Sequence, residues 1–271
     1  MIPGVYRSTE LAETLDVRVQ ALRLVVPSDC VVTDRTAAWL WGAEMVLAPG
    51  DHKKTPKVSV FAPPGRRLRN GIVASGERRV ARRDIREIDG LLVTTPLRTA
   101  CDLGRLLHMD QAIGAMDMLA RLTAFTVPEL TTELGRFKGY RGIIQARALA
   151  PLVDARAQSP YESVLRLRWY DAGLPRPELQ IEVEAPRGSY FIDLGLPEEQ
   201  IGGEYDGEED HGPEQAQHDH DRRAWIRSYG QWLLVVARIK NCVGPHQNAE
   251  LMFRAMWAEH QARRPTWLLL K

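Results

Sequence analysis

Cysteine is scarce in this chain: three residues, Cys30, Cys101 and Cys242, odd in number and without the spacing of a metal site. Cys30 and Cys101 sit among apolar neighbours and read as reduced core thiols of a cytoplasmic protein. Long apolar runs are missing. None approaches the ~18 residues of a membrane span, and no basic-then-apolar segment opens the chain, so neither export nor a membrane partner is expected. The apolar tail Trp267-Leu-Leu-Leu270 is far too short to span and reads as a docking element for the domain or a partner. Internal repeats and low-complexity tracts are lacking as well. Net charge is nearly absent, +1 over 271 residues, and by itself names no partner.

The distribution of charge says more than its sum. From Asp51 to Arg86 eleven basic residues face three acids, and from Glu182 to Asp221 thirteen acids face Arg187 alone. A chain polarised in this way can hold a polyanion with one part and a cation with another; the plainer reading is two solvated faces that balance for solubility. With 44% hydrophobic and 26% charged residues, the composition is that of a globular protein long enough for one large domain or two ordinary ones.

In the first half, helical patterning covers Val17 to Val26 and Asp34 to Trp41, the latter capped by Thr33 or Asp34. Residues 58–62, 71–75 and 91–94 read as short strands. Helices are expected from Pro96 to Leu107, Asp110 to Leu122, Val127 to Phe137 and Gly142 to Leu152. The polar, aperiodic stretch Asp154-Ala-Arg-Ala-Gln-Ser159 marks a boundary between domains 1–155 and 156–271. In the second half Ser159-Pro-Tyr-Glu162 starts a helix as a capping box with proline at the first helical position, and Gly173 closes it. Strands at 179–184, 190–194 and 200–205, a polar helix at 213–229, an apolar strand at 232–237 and a helix at 248–263 complete a mixed sheet flanked by helices.

Chemistry concentrates between residues 193 and 206. Two strands joined by a Pro197/Glu198/Glu199 turn would place Asp193 opposite Glu204, and the two-residue repeat of a strand puts Glu204 and Asp206 on one face. Acids crowded in this way repel one another unless a hard cation neutralises them, and Mg²⁺ is the usual ion, with Mn²⁺ as the alternative. Metal-assisted phosphodiester chemistry follows as the first expectation. Plainer readings stand beside it. Glu162 can be only the capping-box acid, and Glu204 and Asp206 can be salt-bridge partners of Arg222 and Arg223. Asp193, in an otherwise apolar strand, is harder to dismiss, because a buried unpaired carboxylate costs several kcal/mol. His218 and His220, two apart on a helix, point away from each other and read as a solvated face. Trp225, Trp232 and Trp257 read as core.

The order of these elements, with Ser159-Pro-Tyr-Glu162, Asp193, Glu204-Tyr-Asp206-Gly207, His211, Asp219-His-Asp-Arg222 and Gly230-Gln-Trp232, resembles the PD-(D/E)xK nuclease fold. The closer resemblance is to the small bacterial domain related to very-short-patch repair endonucleases, over about residues 156 to 265. It implies Asp193 as central metal ligand with Glu204 or the backbone near Tyr205 beside it, and His211 as general acid/base. Asp206, where the wider superfamily often has Lys, would bind metal or act as base. Glu162 would hold a metal-bound water or orient a neighbour, and Arg222 would brace an acid or touch a phosphate.

In the first half, Gly4-Val-Tyr6, Val32-Thr-Asp-Arg-Thr-Ala-Ala38 with Leu40-Trp-Gly42, and Val93-Thr-Thr-Pro-Leu-Arg-Thr-Ala-Cys-Asp-Leu103 resemble the central region of AbiEi-type antitoxins of type IV toxin–antitoxin systems. That family's winged helix precedes the equivalent of Gly4-Val-Tyr6, where this sequence has almost no chain, so its DNA-reading role does not carry over. Arg98 and Asp102, one helical turn apart, read as a structural pair. The basic residues Arg66, Arg67, Arg69, Arg78, Arg79, Arg82 and Arg83 would contact phosphates, which adds affinity without sequence information.

The expectation is therefore an α/β protein: an N-terminal α+β, AbiEi-antitoxin-like domain, then a restriction-endonuclease-like mixed sheet flanked by helices. It would act on DNA as a Mg²⁺-dependent endonuclease, or a derivative of one, in repair or in phage and plasmid defence. The competing expectation is a non-catalytic antitoxin or regulator with a cognate nucleotidyltransferase toxin as partner, and a third is a protein-interaction module using the apolar tail.

Overall fold

Asp154 to Ser159 carries no apolar periodicity that could tie it into a core, and the chain divides there into two compact units, Met1–Ala155 and Arg156–Lys271. The structure, a computed structural model, describes residues 4–6, 8–46, 57–62, 73–76, 78, 80–122, 125–185, 188–207, 213–228 and 230–263, with the backbone alone for 74–76 and 213–220. The α/β class read from the sequence is what it shows.

The first unit runs α1 (Leu15–Arg23), β1 (Val31–Val32), α2 (Asp34–Trp41), β2 (Val58–Phe61), β3 (Val73–Gly76), β4 (Ile85–Ile88), β5 (Leu91–Thr94), α3 (Pro96–Leu106), α4 (Met109–Leu122), α5 (Val127–Glu133) and α6 (Ile143–Leu149). Its strands form one mixed sheet ordered β3-β2-β1-β5-β4. Val32, Val60 and Val93 are fully buried at its centre and pack with Leu22, Ala37 and Leu40 from α1 and α2. Thr95 caps α3 by accepting the Arg98 N–H, and Pro96 fills the first helical turn, where its missing N–H costs nothing.

Beside this apolar core lies a buried ion cluster. Asp102 accepts from Arg98 Nε at 2.8 Å and from Arg105 Nη2 at 2.5 Å, and Arg78 Nη1 lies 2.9 Å away. Asp84 accepts from Arg98 Nη1 at 2.6 Å and from both Nη nitrogens of Arg136. Burial pushes the Asp84 carboxyl up, but Arg136 and Arg98 outweigh it and hold it below the usual carboxylate range. The Arg98–Asp102 pair is thus part of a larger network, and Phe137 lies under the guanidiniums of Arg98, Arg105 and Arg136.

The second unit runs α7 (Pro160–Asp171), β6 (Glu178–Ala185), β7 (Gly188–Leu196), β8 (Ile201–Tyr205), α8 (Pro213–Ser228), β9 (Leu233–Ala237), α9 (Ile239–Cys242) and α10 (Ala249–Arg263). The sheet order is β6-β7-β8-β9, antiparallel except for the β8–β9 pair, whose parallel register needs the α8 crossover. Residues 197–199 form a 3₁₀ turn between β7 and β8. Gly202 and Gly203 let both faces of β8 close tightly. A Cβ on Gly202 would stand 2.8 Å from Ile192 Cγ2, and one on Gly203 2.8 Å from the Phe253 ring.

Only half of the expected capping box on α7 forms. Ser159 Oγ accepts the Glu162 N–H at 3.2 Å, but Glu162 Oε2 accepts the Gln158 N–H at 2.9 Å, not that of Ser159. Ser159→Ala is expected to cost about 1 kcal/mol in chemical denaturation followed at the second unit.

Candidate functional site

Glu162, Asp193 and Glu204 come from α7, β7 and β8. The β7–β8 ladder ends at Leu194↔Gly203, one position short of Asp193 and Glu204, so the expected register holds and the two acids stand where the strands stop pairing. On the other side of β7, Leu179↔Leu194 and Ile181↔Ile192 are paired while Gln180 and Asp193 between them are not. Gln180 has φ +53°, a strained value for a residue with a side chain. Its amide donates to Glu162 Oε2 at 3.1 Å, linking the helix to the interrupted ladder.

Asp193 Oδ2 accepts the Tyr205 N–H at 2.7 Å. Burial drives the Asp193 carboxyl up to about 8, the charges of Glu162 and Glu204 push the same way, and the Tyr205 N–H and Arg222 only partly oppose them. Glu204 is 2% exposed. Its Oε2 accepts from Arg222 Nη2 at 2.7 Å and Arg223 Nε at 3.2 Å, while Oε1 is buried with no hydrogen-bond partner among the described residues. A buried carboxylate oxygen left without a donor is costly unless a cation or a donor from beyond the described residues meets it. Tyr161 and Tyr205, which adjoin Glu162 and Glu204 in sequence, stack with ring centroids 5.2 Å apart.

Three expectations need correction. Asp206 does not join a three-acid pocket: Oδ1 accepts from Arg223 Nη2 at 2.9 Å and Oδ2 from Arg238 Nε at 3.0 Å. Burial raises its carboxyl, but the two arginines hold it below the usual range, so it is a poor base. Of the two roles expected of Arg222, bracing an acid is the one seen, since it donates to the Phe191 carbonyl and Glu204; its place among the phosphate-binding arginines is withdrawn. Arg78 stacks 4.1 Å over Phe61 and pairs with Asp34 and Asp102, so it too is withdrawn from the set of phosphate-binding arginines. Arg82 and Arg83 are exposed, with Arg83 Nη2 3.7 Å from Glu133 Oε2. His211, Arg66, Arg67, Arg69, Arg79 and the apolar tail lie outside the described residues.

Among the described residues, no group of three or more His, Cys, Asp or Glu side chains is gathered so that it could hold a metal. Asp193, with the Glu204 oxygen that has no partner among the described residues, nevertheless has the donor chemistry for a hard cation such as Mg²⁺, which takes one or two carboxylates and completes its shell with water and phosphate oxygens. Sequence reasoning missed Arg238 and Gln180. The unmet need of Asp206 for a cation, with an arginine directly after the apolar strand 233–237, was the signal for Arg238; nothing local announced the left-handed Gln180.

The fold and site define an α/β protein of two units, the second carrying a buried carboxylate pair at the point where two central strands part. The chain belongs to the family of two Mycobacterium tuberculosis proteins, "Uncharacterized protein MT2308" of strain CDC 1551 / Oshkosh and "Uncharacterized protein Rv2248" of strain ATCC 25618 / H37Rv. Each is 32% identical to it over 234 residues, 86% of this chain and 82% of theirs. No family model matches the chain, and no solved structure matches it. Among the described residues no helix is long and apolar enough to cross a membrane.

Proposed function

We propose that this protein is a divalent-cation-dependent DNA endonuclease, or a derivative of one, acting in the cytoplasm in DNA repair or in defence against phage and plasmids. The observation that carries this reading is the buried Oε1 of Glu204 beside Asp193, without a hydrogen-bond partner among the described residues, together with an Asp193 carboxyl forced up by burial and neighbouring acids. Asp193 and Glu204 would hold Mg²⁺ or Mn²⁺. Such an ion polarises a scissile phosphate and lowers the pKa of a bound water. The chain's own residues prepare the place: Arg222 and Arg223 fix Glu204 by Oε2, and the Tyr205 N–H fixes Asp193 by Oδ2. Glu162, held by Gln158 and Gln180, would orient a water. His211 belongs to the proposal as acid/base.

A second reading has its own support. Arginines occupy both oxygens of Asp206 and one of Glu204, an arrangement suited to a nuclease fold kept as a binding platform. The protein would then be a non-catalytic, AbiEi-like antitoxin or regulator with a nucleotidyltransferase toxin as partner.

Supercoiled plasmid and mismatched duplex, incubated with Mg²⁺ or Mn²⁺, separate the two. Wild type is expected to nick, and Asp193→Ala to lose nicking by about 100-fold or more, as loss of a principal cation ligand would produce. DNA binding with no cleavage at any metal concentration would sink the enzyme and leave the regulator.

A further inference from the structure

Asp206 receives two guanidiniums, and they are not equivalent. Arg223 is only 20% exposed and spans Glu204 and Asp206, which already neutralises Asp206. Arg238 adds a third guanidinium to a pair of carboxylates held by Arg222 and Arg223, and its side chain is 54% exposed. Its backbone is fixed: the Arg238 N–H donates to Asn241 Oδ1 at 2.9 Å, and its carbonyl accepts from Asn241 and Cys242. Asp206 is fixed in turn, its N–H donating to the Ala237 carbonyl at 2.8 Å. Only Nε of Arg238 is used, on Asp206 Oδ2, and neither Nη nitrogen has a partner among the described residues.

A guanidinium held by Nε in a set plane presents its two Nη nitrogens as a preorganised fork, the geometry that binds a phosphate through two parallel hydrogen bonds. Holding the fork beforehand lowers the entropy lost on binding. We infer that Arg238 is a backbone-phosphate clamp for nucleic acid, and that Asp206 is the positioning residue that aims it. This rests on the nucleic-acid reading above and deepens it. Because Arg223 bridges Glu204 and Asp206, the fork stands beside the proposed cation ligands. A strand with one phosphodiester at Asp193 and Glu204 would offer a neighbouring phosphate to Arg238.

The test is metal-free fluorescence anisotropy with labelled duplex DNA over a series of KCl concentrations, alongside direct Mn²⁺ binding and thermal melts of each variant. Arg238→Gln is expected to weaken binding by about tenfold at low salt and to reduce the salt slope by about 1. Arg238→Lys keeps the charge and loses the fork; it should retain the slope and bind several-fold more weakly, and it decides the matter where the Gln variant fails to fold. Asp206→Asn gives the sharpest contrast. Removing a carboxylate beside a polyanion should tighten binding on charge alone, whereas a lost positioning residue weakens it. An unchanged slope in Arg238→Gln, wild-type affinity in Arg238→Lys, or tighter binding by Asp206→Asn each overturns the clamp. Mn²⁺ binding that is missing from wild type, with the Arg238 effects intact, sinks the metal reading and leaves the clamp standing. Wild type that binds no DNA overturns both.

Discussion

Asp102→Ala is expected to remove about 3–5 kcal/mol from the stability of the N-terminal unit, because it strips the counter-charge from buried arginines. Asp102 is 1% exposed, and Arg98 and Arg105 are 2% and 6% exposed. Asp84 still neutralises part of Arg98 after the substitution, but among the described residues Arg105 keeps only a bond to the Arg141 carbonyl and its stacking on Phe137 and Tyr140. A guanidinium that cannot lose its proton has no escape by titration, so its desolvation falls wholly on the folded state. Against a domain stability of ~5–15 kcal/mol this is a large share, and the melting temperature should fall by about 10 °C. Hydrogen exchange of the α3 amides assigns the loss to this unit. Asp102→Asn, which keeps the shape and one acceptor, should lose less than Ala. Arg82→Ala, on the exposed surface, should stay within about 0.5 kcal/mol of wild type. An Asp102→Ala protein that melts like wild type would mean that the cluster is solvated and structurally idle. High salt should not rescue the variant, since buried pairs are screened weakly.

The same cluster shows where sequence reading ran out. The spacing of Arg98 and Asp102 announced a local pair, but Asp84 joins it from 14 residues before Arg98, and Arg136 joins through Asp84, 52 residues away from it along the chain, separations that no helical or strand period encodes. Arg78 looked like one of several phosphate-binding arginines because neighbours in a basic run are indistinguishable before folding, yet Phe61 and Asp34 single it out. Strand β1 has two residues and β4 carries Arg86 and Glu87 on a sheet edge, so neither offered an apolar period long enough to detect. Asp34 to Trp41 and Leu91 to Thr94 were legible to the residue, the first through its helical period, the second through a short apolar run.

In the second unit the acids were legible for a different reason. An aspartate inside an apolar strand is a local conflict that needs an explanation, and the strand–turn–strand register was fixed by the 3₁₀ turn at 197–199. What the pattern could not show was how Glu204 and Asp206, two apart on β8, would be divided among three arginines. Two of these come from a helix whose phase relative to the strand only the fold sets, and the third follows the next strand.

That division leads to an expected dependence of the second unit's stability on pH. The Asp193 carboxyl stands near 8 in the folded chain against an ordinary value of 3.8, so between those limits the folded state holds a proton that the unfolded chain has released. Its contribution is complete below about pH 4 and is lost as pH rises through 8, with a slope of up to about 1.4 kcal/mol per pH unit. Asp206 works in the opposite sense: its carboxyl lies below the usual range, so its contribution is present above the unfolded value and lost as pH falls through the folded one. The unit should therefore be most stable near pH 4–5 without divalent cations. Asp193→Asn should flatten the alkaline limb, gaining about 2 kcal/mol over wild type at pH 7 while keeping a carbonyl to accept the Tyr205 N–H. Mg²⁺ should restore wild type at pH 8 far more than at pH 5, because ligating carboxylates must be ionised, and should leave Asp193→Asn almost unmoved. Urea titrations from pH 4 to pH 9, with and without Mg²⁺, read all three effects. A wild-type profile that is level from pH 5 to pH 8 would show that Asp193 ionises as freely as an exposed acid. In that case no stored repulsion would await a cation beside Glu204, and the argument for a metal at this site would fail.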